Sequence, residues 1–98
     1  MDERFELNIQ YLVFGAKMNK QVEIQYKYLD GGEFKERRYG SIQPIKWLDG
    51  RNGTHILAWD TEANNWRRFA VENIERVFVT DIDWTNTKIK ESITIIPH

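Results

Sequence analysis

The chain has no cysteine and only two histidines, His55 and His98. Without cysteine there are no disulfides and no thiolate ligands, and two histidines do not suffice for a zinc site of the usual kind, so we expect no metal and no cofactor. No apolar run is long enough to span a bilayer, and the N-terminus lacks a secretory signal pattern. These absences predict a cytoplasmic protein without membrane association.

The net charge is only −1, because 14 basic residues nearly balance 15 acidic ones. Any binding of nucleic acid must therefore use a local basic patch rather than overall basicity. The sequence has no glycine-rich phosphate loop and no HExxH pair, and nothing in it activates a nucleophile. We expect no catalytic residues and no enzymatic activity. An apolar fraction of 41% in 98 residues is consistent with one folded domain.

The spacing of the apolar residues changes along the chain. Helical spacing predicts an α-helix from about residue 3 to 20, and alternation from Val22 onward predicts strands. The predicted strands span residues 21–28, 34–47, 54–60, 66–71 and 76–80, with turns at 30–32 and 49–53, a bend or bulge at Gly40 and Pro44, and one helical turn at 72–74.

This order predicts a mainly β fold in which an N-terminal helix precedes a five-stranded SH3-like or Sm-like small barrel over residues 1–80. Residues 81–98 form a C-terminal extension that is rich in isoleucine. The extension either adds a strand to the barrel or pairs with another copy of the chain.

Arginine and tryptophan are close neighbours in the middle of the chain. Trp66 precedes Arg67 and Arg68, and Trp47 borders a turn in the same region as Arg38. Arginine binds phosphate through its planar fork, and exposed aromatic rings stack unpaired bases. The alternative is a solvated sheet face whose tryptophans close the barrel ends, with Trp59 in the core.

His55 is the only histidine inside a predicted strand. By alternation it shares a face with Leu57 and Trp59, opposite Ile56 and Ala58, and one of these two sets is the core. A neutral imidazole both donates and accepts a hydrogen bond, which suits a base edge or a sugar. A surface histidine without a role is the alternative.

From about Ile9 to Val79 the chain resembles a WYL domain. The resemblance rests on VEIQYKYLDGGEFKERR after the helix, SIQP in the second strand, and the string ILAWD, polar loop, WRRF, VENI. It implies a ligand-sensing module of bacterial transcription regulators and defence-system accessory proteins. Regulators of this family also carry a helix-turn-helix, for which 98 residues leave no room, so we expect an excised domain or a free-standing relative.

The chain departs from the family at its signature positions. The three letters that name the family align with Thr54, His55 and Ile56, and two family arginines align with Ala70 and Asn73, whereas Arg67 is kept. The resemblance implies binding of oligonucleotides or nucleotide-like ligands by those positions.

We therefore predict a regulatory domain that binds single-stranded nucleic acid or a nucleotide-like ligand. The predicted binding residues are Arg67, Arg68, His55, Arg38, Trp66, Asn73 and Trp47. The alternative is an assembly module that has lost the family ligand site and binds a protein partner or itself.

Overall fold

The computed structural model describes residues 3–50 and 53–85. The chain forms α1 (Glu3–Met18), β1 (Lys20–Asp30), β2 (Glu33–Gly50), β3 (Gly53–Asp60), β4 (Asn65–Ala70), a 3-10 helix (Val71–Asn73) and β5 (Ile74–Asp83). The mainly β fold class and the order of elements predicted from the sequence are confirmed. Within these residues no helix is long and apolar enough to cross a membrane.

The strands form one antiparallel sheet in the order β4-β3-β2-β1-β5. β4 and β5 lie at opposite edges of this sheet, yet only the three residues Val71–Asn73 connect them. Three residues span about 10 Å even when fully extended, so the sheet must curl until its two edges approach each other. The short connection therefore makes the sheet a small barrel-like structure.

Two bulges bend β2 so that it can belong to both sides of the barrel. Its first half pairs with β1, its second half pairs with β3, and the register shifts between Ile42 and Tyr39 and again between Pro44 and Lys46. Each shift places an extra residue on β2, which increases the local twist and bend. The predicted irregularities at Gly40 and Pro44 lie at these two bulges.

The turn between β1 and β2 is tight because both of its central residues are glycine. Gly31 and Gly32 have φ angles of 60° and 85°. A two-residue hairpin turn with two positive φ angles matches the twist of its strands, and glycine adopts it without steric cost. The hairpin beyond Tyr26 pairs with no third strand in the described residues and projects from the barrel.

The main core fills the inside of the barrel, and α1 closes one side of it. Its buried members are Leu12, Val22, Ile24, Ile42, Trp47, Ile56, Ala58, Phe69, Val71, Ile74 and Val77. The Nδ2 of Asn8 donates a hydrogen bond to the carbonyl of Ile74 at 3.0 Å, which joins the helix to the start of β5. The helix is therefore held by both apolar packing and a buried polar contact.

The chain continues to pack on the barrel beyond the predicted end of the last strand. β5 extends to Asp83 rather than Thr80, and Trp84 packs with Ala16 and Ile45 in a second, smaller core. The indole Nε1 of Trp84 donates a hydrogen bond to the carbonyl of Lys20 at 2.9 Å. The rest of the extension, and with it the prediction of an added or intermolecular strand, lies outside the described residues.

Candidate functional site

The alternation in β3 assigns its two sets of side chains to opposite faces. Ile56 and Ala58 are buried in the core, whereas His55, Leu57 and Trp59 are only partly buried on the outside of the barrel. Of the two sets of β3 side chains that the sequence defines, the one with Ile56 and Ala58 is therefore the core, and Trp59 does not belong to the core. This outer surface is the candidate ligand-binding surface.

Cross-strand pairing builds this surface in rows. Trp59 pairs with Trp66, and Leu57 lies between Lys46 of β2 and Arg68 of β4. His55 pairs with Ala70 in the next row. Paired residues in a sheet share a face. We call the surface formed by Lys46, His55, Leu57, Trp59, Trp66 and Arg68 the β3–β4 face.

Two tryptophans dominate one end of the β3–β4 face. Their ring centroids are 5.2 Å apart at an interplanar angle of 79°, an edge-to-face arrangement. Trp66 retains 38% of its surface exposed. Contact with Trp59 restricts the orientation of the Trp66 ring, because edge-to-face aromatic pairs are favourable in their own right. The exposed ring is therefore held in place before any ligand arrives.

Positive charge on the β3–β4 face is not neutralised by the residues that the structure describes. Lys46 and Arg68 are exposed, and neither forms an ion pair in the described part of the chain. Every second side chain of segments 46–50, 53–59 and 65–70 points onto this face, and none of these side chains carries a carboxylate. Both cations are thus available to an anion from solution.

Arg67 lies on the opposite side of β4 from Arg68. It pairs with buried Ala58 in the β3–β4 ladder, and its Nε donates a hydrogen bond to Oδ2 of Asp60 at 3.2 Å. Its guanidinium also lies 5.4 Å from the ring centroid of Tyr39. The side chain of Arg67 is therefore used in contacts within the protein and is not part of the β3–β4 face.

An aromatic cluster under Arg67 joins β4 to the middle strands. Phe69 packs edge-to-face against Tyr26 and Tyr39, with centroid distances of 5.1 and 4.9 Å. Arg37 lies over the outer side of this cluster, 4.6 Å from the Tyr39 centroid. The hydroxyl of Tyr26 accepts a hydrogen bond from the backbone N–H of Ala70 at 2.9 Å. The cluster holds the end of β4 against the barrel.

The structure separates three other predicted residues from this face. Arg38 forms an ion pair with Glu23 at 2.6 Å on the outside of β1 and β2. Asn73 is exposed at the end of the 3-10 helix. Trp47 is only 6% exposed and belongs to the main core, so the expectation of a stacking ring at Trp47 is corrected. Its pairing with Ile56 turns it inward.

Of the seven predicted residues, His55, Trp66 and Arg68 lie on the β3–β4 face. The sequence prediction did not include Lys46 and Trp59 on this face. The signal that finds Trp59 is its alternation with Ile56 and Ala58, once the isoleucine and alanine are assigned to the core. Lys46 has no such signal, because the bulge at Ile45 changes which β2 residues face outward.

His55 lies near the start of β3, at the opposite end of the face from the two tryptophans. Its Nδ1 lies 3.4 Å from the carbonyl oxygen of Gly53. The neighbouring position in β4 is Ala70, whose small side chain leaves the imidazole accessible from that strand. The described residues contain no cluster of three or more histidine, aspartate or glutamate side chains that could hold a metal ion.

The comparisons with known proteins agree with this architecture. The fold is similar to that of Proteasome accessory factor B/C (PafBC) of Arthrobacter aurescens, with a TM-score of 0.70 at 12% sequence identity. The match covers 99% of this chain but 14% of PafBC, and identity this low bears on the fold alone. Curated proteins yield no match. The family model of the WYL domain matches residues 8–79. The chain therefore belongs to the WYL domain family.

Proposed function

We propose that this protein is a non-enzymatic regulatory domain whose β3–β4 face binds single-stranded nucleic acid or a nucleotide-like ligand. The observation that carries the proposal is the pair of Trp59 and Trp66 beside two cations on a face without carboxylates. Aromatic rings bind bases of any sequence through their π faces, and cations bind the phosphates between those bases.

The spacing of the side chains supports this mode of binding. Trp66 and Arg68 are two residues apart on one strand, which separates their Cα atoms by roughly 6.6 Å. A base stacked on Trp66 therefore leaves its phosphate within reach of the flexible Arg68 side chain. Lys46 lies two strands away in the same row as Arg68, so a second phosphate can follow that row.

Two positions at which this chain departs from the family pattern contribute to the same surface. His55 and Ala70, which align with a signature tyrosine and an arginine, are direct cross-strand partners. Alanine in place of arginine removes a fixed cation from this position, and the imidazole keeps a hydrogen-bonding side chain where the family has a phenol. We propose that His55 contacts a base edge or a sugar.

Arg67 has a positioning role in this proposal. Its contact with Asp60 ties β4 to the turn between β3 and β4, and Trp66 is its chain neighbour in that strand. Arg38 and Asn73 are left out because they lie on other parts of the surface. In a regulator the bound domain transmits its state to a protein partner, which we expect here as well.

The test is fluorescence anisotropy with fluorescein-labelled oligo-dT and oligo-U at low salt. Trp66→Ala removes one stacking ring and should weaken binding by about tenfold, since stacking contributes about 1–3 kcal/mol per base. Arg68→Ala should weaken binding and reduce the dependence on salt by about one counterion. Competition by unlabelled mononucleotides distinguishes a nucleotide-like ligand from a longer strand.

Arg38→Ala is the matched control. It removes an exposed arginine that is ion-paired with Glu23 away from the β3–β4 face, and it should leave affinity unchanged within twofold. Absence of binding at high micromolar protein would overturn the proposal. So would equal affinities of wild type, Trp66→Ala and Arg68→Ala, or a loss of binding in Arg38→Ala alone.

A further inference from the structure

Helix α1 has a second apolar stripe that does not face the core. Leu7, Tyr11, Phe14 and Met18 are 46%, 40%, 53% and 53% exposed. Their spacing of four, three and four residues places them in one line, as at the seam of a coiled coil. The stripe that packs into the barrel uses other residues, such as Leu12 and Ala16. A helix that is apolar on both sides is normally covered on both sides.

Strand β5 extends this surface. Phe78 and Ile82 of this strand are exposed, and a groove of about 750 Å³, lined in part by Phe78, runs between α1 and residues 75–79. The six exposed apolar residues are large, and each keeps between 37% and 55% of its surface exposed. We call Leu7, Tyr11, Phe14, Met18, Phe78 and Ile82 the α1–β5 patch. Clusters of exposed large apolar side chains rimmed by polar residues are typical of interaction sites.

We propose that the α1–β5 patch is covered by the same patch of a second copy, with the two α1 helices antiparallel across a twofold axis. The charges of the helix favour this occupant. Glu3 and Glu6 lie in its first turn, where Arg4 is ion-paired with Glu75 of β5, and Lys17 lies in its last turn. Antiparallel pairing brings the acidic end of each helix to the basic end of the other, and it also opposes the helix dipoles.

The apolar stripe is self-complementary in that arrangement. A twofold axis between positions 11 and 14 places Tyr11 of each copy opposite Phe14 of the other, and Leu7 opposite Met18. A twofold interface must satisfy this reciprocity, because each contact occurs twice. The groove beside α1 then receives side chains from the second helix.

The area of the patch also suits a second copy. Stable interfaces bury about 800 Å² on each partner, of which the core is mostly apolar and the rim polar. The apolar patch would form the core of such an interface, and polar residues at its border, such as Gln10 and Arg76, would form a rim. We expect a dimer that dissociates on dilution rather than an obligate one.

The experiment is size-exclusion chromatography with light scattering, and sedimentation velocity, on the full 98-residue chain over a range of concentrations. Wild type should approach twice its monomer mass of 11.8 kDa as concentration rises. Tyr11→Glu and Phe14→Lys should each give the monomer mass throughout. The double variant places glutamate opposite lysine in an antiparallel pair and should associate more strongly than either single variant.

Leu29→Glu is the matched control, because Leu29 is a 63% exposed apolar residue on the projecting hairpin, away from the patch. It should dimerise as wild type does. Circular dichroism confirms that each variant is folded. A monomeric wild type at high concentration, dimerisation of both single variants, or dissociation by Leu29→Glu would each overturn the proposal. A double variant that associates no more strongly than the single variants would overturn the antiparallel arrangement.

This inference does not rest on the proposed ligand function, because it concerns a different surface and a different readout. Failure of dimerisation leaves the anisotropy result unaffected, and failure of oligonucleotide binding leaves the mass unaffected.

Discussion

Arg67 and Asp60 are joined by a hydrogen bond of 3.2 Å across the base of the β3–β4 turn. Asp60 is only 5% exposed, and its other carboxylate oxygen, Oδ1, accepts hydrogen bonds from the backbone N–H groups of Glu62 and Ala63, each at 3.1 Å. One buried carboxylate therefore satisfies two turn amides and one guanidinium. The turn that precedes Trp66 owes its shape to this residue.

We expect Asp60→Ala to lower the free energy of unfolding by about 3 kcal/mol, since it leaves two partly buried turn amides and a partly buried cation without their acceptor. The measurement is urea denaturation followed by tryptophan fluorescence. Asp49→Ala is the control, because Asp49 is exposed and hydrogen-bonds only to the Thr54 hydroxyl among the described contacts. A loss in Asp60→Ala no larger than in Asp49→Ala would contradict this account.

Gly15 is required by the close approach of α1 to β1. A Cβ at this position would lie 2.6 Å from Cγ1 of Val22, which is fully buried, so one of the two must shift. We expect Gly15→Ala to destabilise the protein by about 1–2 kcal/mol, although alanine improves helix propensity by about 1 kcal/mol.

Gly40→Ala provides the comparison for this prediction. A Cβ at Gly40 would meet nothing within 4 Å, so the change should be neutral or slightly stabilising through the unfolded state. Thermal and urea denaturation of both variants measure the difference. If Gly15→Ala is as stable as wild type, the helix does not pack as closely as the structure indicates.

Lys20 gives stability that depends on pH. Its hydrogen bond to Asp83, at 2.6 Å, and the charges of Asp83 and Asp81 raise the pKa of Lys20 above its ordinary value. A raised folded-state pKa stabilises the protein below the unfolded lysine pKa of about 10.4, and this contribution is lost as pH rises through the folded value.

The check is the difference in unfolding free energy between wild type and Lys20→Met, measured from pH 8 to pH 11. Other lysines and tyrosines titrate in both proteins and cancel in this difference. We expect the advantage of wild type to shrink as the solution becomes more alkaline. An advantage that stays constant or grows over this range would contradict the raised pKa.

Much of the fold follows from local patterns. The change from helical to alternating spacing near Lys20, the glycine pair at 31–32, and the breaks at Gly40 and Pro44 each correspond to an observed boundary, turn or bulge. These features depend on backbone sterics and on the period of apolar side chains, which are properties of short segments. The extent of β5 was less predictable, because Trp84 is anchored by α1 and β1, which are distant in sequence.

The candidate site followed the sequence less closely. Arg67 and Arg68 are neighbours in the chain, but a strand directs them to opposite faces, so only Arg68 joins Trp66 on the outside. The alternation of β3 defined two sets of side chains without showing which one is the core. Trp47 could not be distinguished from an exposed ring by its neighbours alone.

The sequence by itself determined the order of elements, the WYL resemblance and which residues of each strand share a face, because these depend on local spacing and motif. Only the tertiary structure decided which of the two faces of each strand meets solvent. It also decided that Asp60 contacts Arg67 beside the β3–β4 turn, and that α1 keeps a second apolar stripe exposed. The physical reason is that burial and pairing arise when segments distant in the chain pack together. A side chain's role depends on that packing as much as on its chemistry.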